Sequence, residues 1–212
     1  MNLSKNMKIY RDLTQGTEEW FKKKLGVITG TVLADIMGTP YKKGEVLYEL
    51  VAERLTENID TEYESAMARG TRLEPEAVAV FEYITGKKIE RVGFCERDDN
   101  QFIGYSPDGL VVDTDYTEDI EIKCPLGKNY IKIVLTNEVP KEYYHQLIQG
   151  FVVNSNLQKR YFIAYNPDIP SYPMHIIEVL RKDLESEIEE AYQAQLETLD
   201  SVDQLLKNIN LK

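Results

Sequence analysis

Apolar positions recur at helical spacing in the first third of the chain. Val46, Leu47, Leu50, Val51 and Leu55 fall on one face between Glu45 and Asn58, and Leu73, Ala77, Val78 and Phe81 do so between Leu73 and Ile84. Thr17 followed by Glu18 and Glu19 predicts a helix start, with acids where the helix dipole favours them, and Gly26 predicts its end. Thr31 to Gly38 predicts a second short helix, and Thr39-Pro40 opens a predicted loop through Lys42-Lys43-Gly44. Arg69-Gly70 predicts a break before the Leu73 helix, which Gly86 stops. The period then changes. Lys88 to Arg97, Gln101 to Tyr105, Leu110 to Asp113 and Ile120 to Cys124 alternate as strands, and the short polar link from Thr114 to Asp119 predicts a hairpin. Helices follow over Lys128 to Leu135 and Lys141 to Asn154, then strands over Tyr161 to Tyr165 and His175 to Val179. A long amphipathic helix closes the chain from Arg181 to Ile209. This order predicts a mixed α+β fold, a central sheet with helices packed on it, in one domain over residues 1–212 with the last helix as its appendage.

Composition narrows the class. The 212 residues are 42% hydrophobic and 29% charged, a globular profile with enough apolar material for one sizeable core. No run of about 18 apolar residues predicts a membrane span, and the first residues do not read as a signal peptide. Cys95 and Cys124 form no CxxC pair, which fits reduced thiols in a cytoplasmic protein and is too few for a four-cysteine cluster. His145 and His175 are too few and too separated for a histidine metal site. The net charge of −11 excludes a protein that coats nucleic acid with its whole surface, but not a local basic groove. Lys22-Lys23-Lys24, Lys42-Lys43 and Lys87-Lys88 are the basic clusters, each of which alone would be an ordinary solvated face.

The stretch SPDGLVVDTDYTEDIEIKCP, residues 106–125, carries the chemistry. Ile120, Ile122 and Cys124 share one face of a strand, and Glu121 and Lys123 share the other, roughly 7 Å apart. If the hairpin pairs, Asp108 approaches Glu121 across the ladder. Two carboxylates that close repel unless one is protonated or a hard cation holds both. Glu-x-Lys alone is common as a surface charge pair. Here the Pro107-Asp108-Gly109 turn and the apolar alternation around both acids give it a setting. Glu74 borders the apolar face of its helix, where it is either a partner of the helix dipole or a third acid aimed at the site. Tyr143 and Gln146 share a helical face with Gly150.

Four blocks, QGTEEWFKKKLGVITGT, ARGTRLEPEAVAVFE, GYSPDGLVVD…IEIKCP and YYHQLIQGFVV, resemble the lambda exonuclease family, the YqaJ-type viral recombinases of the PD-(D/E)XK nuclease superfamily. The resemblance implies a restriction-endonuclease-like core and a Mg²⁺-dependent exonuclease digesting duplex DNA ends from 5′ to 3′ with two ions, Mn²⁺ being a possible substitute. It makes Asp108, Glu121 and the backbone carbonyl of Ile122 metal ligands, Glu74 either a direct metal ligand or an acid just behind the ligands, Lys123 the residue that positions or activates the attacking water, and Gln146 a site-lining residue. It assigns Lys24, Thr31, Ser106 and Tyr143 to phosphate and DNA. Lys24 and Thr31 stand where the family has arginine and serine, so charge and hydroxyl are kept but the bidentate fork is lost. The resemblance further implies a ring-shaped homotrimer, a single-strand annealing partner, and a phage or prophage protein acting in the bacterial cytoplasm. Two other readings stay open from the residues: an endonuclease on the same core, and a silent module that binds DNA ends.

Overall fold

A computed structural model describes residues 7–56, 65–125 and 127–210. Strand β1 (Met7–Tyr10) precedes helices α1 (Glu18–Lys24), α2 (Gly30–Ile36), α3 (Pro40–Thr56) and α4 (Ser65–Thr85). Strands β2 (Ile89–Glu90), β3 (Phe94–Arg97), β4 (Gly104–Tyr105), β5 (Gly109–Val111) and β6 (Glu118–Lys123) follow. Helices α5 (Gly127–Thr136) and α6 (Lys141–Val153) lead to β7 (Lys159–Tyr165), β8 (Met174–Leu180) and α7 (Glu185–Asn210). The predicted mixed α/β plan is the one observed.

The larger sheet has the order β2-β5-β6-β7-β8, with β6 and β7 parallel and the other neighbours antiparallel. The α5–α6 crossover is what a parallel pair requires. One face of this sheet carries Ile120, Ile122, Tyr161 and Ile163, packed on Leu73, Ala77, Val78 and Phe81 of α4. On the opposite face, Phe162 and Ala164 meet Tyr130 and Ile133 of α5 and Leu147 of α6. A smaller sheet, β1-β3-β4, joins a core built from α2, α3, α6 and α7 around Leu33, Leu50, Phe151 and Val202.

Several boundaries differ from expectation, each for a physical reason. The loop predicted at Thr39-Pro40 and Lys42-Lys43-Gly44 is the start of α3, because proline is compatible with a helix's first turn. Nor does Arg69-Gly70 break the chain. Helix α4 runs through it and through Pro75, and a Cβ at Gly70 or Gly44 would meet nothing within 4 Å, so both sit in open helical positions. The second helix begins at Gly30, not Thr31. A Cβ at Gly30 would stand 2.7 Å from the Cα of Gln146, so this glycine lets α2 close on α6. The stretch Lys88 to Arg97 divides between the two sheets at Gly93, where a Cβ would lie 1.9 Å from the carbonyl oxygen of Leu13. Of the strand predicted from Gln101, Gly104–Tyr105 forms a strand and Ile103 a single parallel bridge to Ile28. The Arg181 start of the last helix is a short 3₁₀ turn over Arg181–Asp183, and β1 was not anticipated. Asn58 lies outside the described residues.

Candidate active site

The hairpin sets the site. Gly109 pairs with Ile120 and Leu110 with Asp119, so Asp108 stands opposite Glu121 just before β5 begins. The Asp108 carboxylate takes over the ladder there: Oδ2 accepts the backbone N–H of Ile122 at 2.6 Å. A Cβ at Gly109 would lie 2.2 Å from Ile89, so glycine is required where the turn enters the sheet. The N-terminal block braces the same turn. Gln15 donates to the Pro107 carbonyl at 3.0 Å. The Trp20 indole N–H donates to Ser106 Oγ and to the Gly93 carbonyl, both at 3.0 Å.

Charge is concentrated beside that turn. Lys123 Nζ donates to Glu121 Oε1 at 2.7 Å and lies 5.1 Å from the centre of the Tyr143 ring, which in turn packs on Phe162. Arg91 donates to Glu74 Oε1 at 2.9 Å. Burial, and then the charge of Glu121, push the Asp108 carboxyl well above the ordinary carboxylate range. Burial also raises Glu74; Arg91 opposes this and Glu121 adds to it. For Lys123, burial favours the neutral amine, but Glu121 and Asp108 outweigh it and hold the ammonium charged. Three carboxyl groups and one lysine thus act on one another at the end of one hairpin.

The donor chemistry fits a hard divalent cation. Every side-chain donor offered by Glu74, Asp108 and Glu121 is oxygen. The Oε1 of Gln146 is buried with no hydrogen-bond partner among the described residues, an acceptor left for something bound. As placed, Lys123 and Arg91 engage the two glutamates, and no group of three or more His, Cys, Asp and Glu among the described residues encloses an ion.

Behind Glu121 lies a buried polar network that the sequence did not reveal. Arg160 of β7 is fully buried. Its Nε donates to Asp119 Oδ1 at 2.7 Å, and its Nη1 to the carbonyls of Gln146 and Leu147 at 2.8 and 2.9 Å. Tyr105 donates to the other Asp119 oxygen at 3.1 Å. An arginine inside the apolar run KRYFIAY was the available signal, since a charge in a strand buried on both faces must be paired.

The other predicted residues are more dispersed. Lys24 Nζ lies 3.9 Å from the centre of the Trp20 ring, and Trp20 in turn donates to Ser106, two residues before Asp108. Thr31 is exposed on the first turn of α2. A groove of about 310 Å³ runs between α5 and α6, lined by Lys132, Lys141 and Tyr143 among others. The two cysteines are free thiols, Cys95 buried and Cys124 half-buried. His175 bonds Tyr172 and Asn137 on the surface, at 3.1 and 2.9 Å. No helix among the described residues is long and apolar enough to cross a membrane.

Known proteins share this fold. An alkaline exonuclease, LHK-Exo, from Laribacter hongkongensis is 31% identical, with a TM-score of 0.77 over 92% of this chain and 98% of its own. The same exonuclease in complex with dAMP is 32% identical, again with a TM-score of 0.77, over 92% of this chain and 100% of its own. A phage-related exonuclease from Haemophilus somnus 129PT, 15% identical, shares the fold with a TM-score of 0.64 over 86% of this chain and 96% of its own. No curated protein sequence matches. The mixed sheet and its flanking helices are a PD-(D/E)XK-type nuclease core. The YqaJ-like viral recombinase domain matches residues 19–155, a span that holds the Asp108 hairpin, Glu74 and Gln146, and the chain belongs to that family.

Proposed function

We propose that this protein is a divalent-metal-dependent exonuclease that degrades linear duplex DNA from its 5′ ends in recombination. One observation carries the reading: Asp108, Glu121 and Glu74 converge with Lys123 where β5 and β6 part, on the fold of an alkaline exonuclease. Asp108, Glu121, Glu74 and the Ile122 carbonyl would hold the metal, with Mg²⁺ the expected ion and Mn²⁺ a substitute. When bound, such ions lower the pKa of water and neutralise charge on the attacked phosphate and the leaving oxygen.

The chain's own residues do the rest. The Lys123 ammonium, charged and shielded beside Glu121, orients the attacking water and meets the negative charge that grows on the phosphate. Tyr143 walls one side of Lys123 and restricts water there. The free Oε1 of Gln146 accepts from a donor at the reaction centre. Lys24, Thr31 and Ser106 receive the terminal phosphate, and Trp20 ties this region to the Asp108 turn. An acidic exterior is compatible with DNA binding if basic residues line a channel, so a homotrimeric ring and cooperation with a single-strand annealing protein belong to the same proposal. In it the whole chain works as one nuclease unit, with α7 packed on α6 and α3.

The test uses matched linear duplexes with Mg²⁺, differing only in a 5′-phosphate or a 5′-hydroxyl. The 5′-phosphate duplex is digested faster, by a modest factor that shrinks with salt, since lysine binds phosphate as a point charge. Lys24→Ala removes most of that preference, and Lys24→Arg keeps or sharpens it. Equal rates on both ends, unchanged in Lys24→Ala, would take the phosphate pocket out of the account. Loss of the 3′ label before the 5′ label would reverse the polarity.

A further inference from the structure

The Arg160 guanidinium reaches Asp119 of β6, two carbonyls of α6 and the Glu121 carboxylate. Asp119 and Arg160 are direct cross-strand partners in the parallel β6–β7 pair, and Glu121 is the next residue on the same face of β6. Nε is spent on Asp119 and Nη1 on two α6 carbonyls, those of Gln146 and Leu147. Nη2 is left over. It is buried, makes no hydrogen bond among the described residues, and stands 3.5 Å from Glu121 Oε2. The opposite oxygen of the same carboxylate is the one that Lys123 holds. Glu121 is therefore held at one oxygen by a partly buried lysine and approached at the other by a fully buried arginine.

The helix is shaped to admit this guanidinium. A Cβ at Gly150 would lie 2.4 Å from both Cζ and Nη1 of Arg160, so only glycine leaves room for the group against α6. On its other side α6 is met by α2 through Gly30, again at Gln146. The turn of α6 that bears Gln146 is thus clamped between a glycine contact and an arginine. Burying an ion pair among apolar neighbours is costly compared with a well-packed apolar pair, so its presence beside the site calls for a role other than stability.

We infer that Arg160 is a positioning residue: seated in the Gly150 gap and anchored by Asp119, it fixes the Glu121 carboxylate relative to Gln146 and so sets the geometry in which the acids receive a metal ion. It touches neither substrate nor reacting atoms. The inference rests on the nuclease reading above for its catalytic consequence only, since its effect on ion binding is measured apart from activity.

Two kinds of variant separate positioning from bulk folding. Asp119→Asn combined with Arg160→Met removes both buried charges together, so no uncompensated ion is left inside and the protein melts cooperatively. Gly150→Ala keeps the arginine and its charge but drives the guanidinium out of its gap. Titration with Mn²⁺ alone, followed by calorimetry, is the readout that does not involve DNA. Both variants are expected to bind Mn²⁺ about 10–100-fold more weakly and to lose kcat by a similar factor, with KM for duplex DNA nearly unchanged. Arg160→Lys, which keeps the charge but not the fork, recovers part of both losses. Cooperatively melting variants with Mn²⁺ affinity and kcat both within about twofold of wild type would overturn the inference, the smallest effect expected being about tenfold. A wild-type protein that binds Mn²⁺ tightly and leaves DNA intact would sink the nuclease reading instead, while the affinity comparison would still decide the role of Arg160.

Discussion

At Asp108 one side chain serves two opposed ends. It completes the ladder through the Ile122 N–H, and it carries a charge that its surroundings penalise through burial and through Glu121. Asp108→Asn separates the two, since the amide oxygen still accepts from Ile122 while the like charge is gone. The metal-free Asn variant is expected to melt at or above the wild-type temperature and to lose DNA degradation. Asp108→Ala strands the Ile122 N–H, at a cost of about 1–3 kcal/mol, so it melts lower than the Asn variant. Differential scanning calorimetry of the three proteins checks the order. Lys123 offers the complementary case. It holds Glu121 without being an oxygen donor to any ion, so Lys123→Ala should retain Mn²⁺ binding yet lose about 10²–10⁴ in rate. A rate loss under about threefold, well short of that range, would reduce Lys123 to a charge partner.

Among the elements, α1 is fixed to β3 by Glu96, a carboxylate buried among cations. Lys23 donates to one of its oxygens at 2.5 Å, and Tyr10 to the other at 2.8 Å, with Lys8 at 3.2 Å. Burial alone would raise its pKa, but the hydrogen bonds from Lys23, Tyr10 and Lys8 prevail and hold it below the ordinary value of 4.5. A carboxyl with a depressed folded-state pKa adds stability that is present above its unfolded pKa and lost as pH falls through the folded one. Glu96→Gln is therefore expected to lower the melting temperature at pH 7, with the difference from wild type closing as the pH drops below the ordinary value of 4.5. A difference that stayed constant from neutral to acid pH would show that shape, not charge, is what Glu96 contributes.

These elements also show what the sequence could and could not disclose. Asp108, Glu121 and Lys123 were legible because their arrangement depends on strand parity and one short link, both local. Arg160 was not, because its partners come from β6 and α6 across a long crossover whose register no local pattern encodes. The helices α3 and α4 run through glycines that ordinarily mark ends, because Val46, Leu50, Leu73 and Ala77 bury their faces in the cores. Lys88 to Arg97 looked like one strand because its alternation continues across Gly93, and the change of sheet there coincides with a close approach of Leu13 that no local pattern encodes.

On the scale of the whole molecule, a chain of net charge −11 must bring a polyanion to a small cationic region. Lys123 and Lys24 are the candidates for that region, since the α5–α6 groove balances Lys132 and Lys141 with Glu138 and Glu142, and the long-range field opposes them. Binding to DNA is accordingly expected to depend on the divalent ion, which offsets the carboxylates at the point of contact, and to require an end that can enter the site. The central claim is that the hairpin acids cut DNA at an end. Its most direct measurement is release of acid-soluble nucleotide with Mg²⁺ from linear duplex and from covalently closed circular duplex of the same sequence, for wild type and Asp108→Asn side by side. The account predicts release from the linear form only, and only by wild type. Cleavage of the closed circle by wild type, or undiminished release by Asp108→Asn, would contradict it.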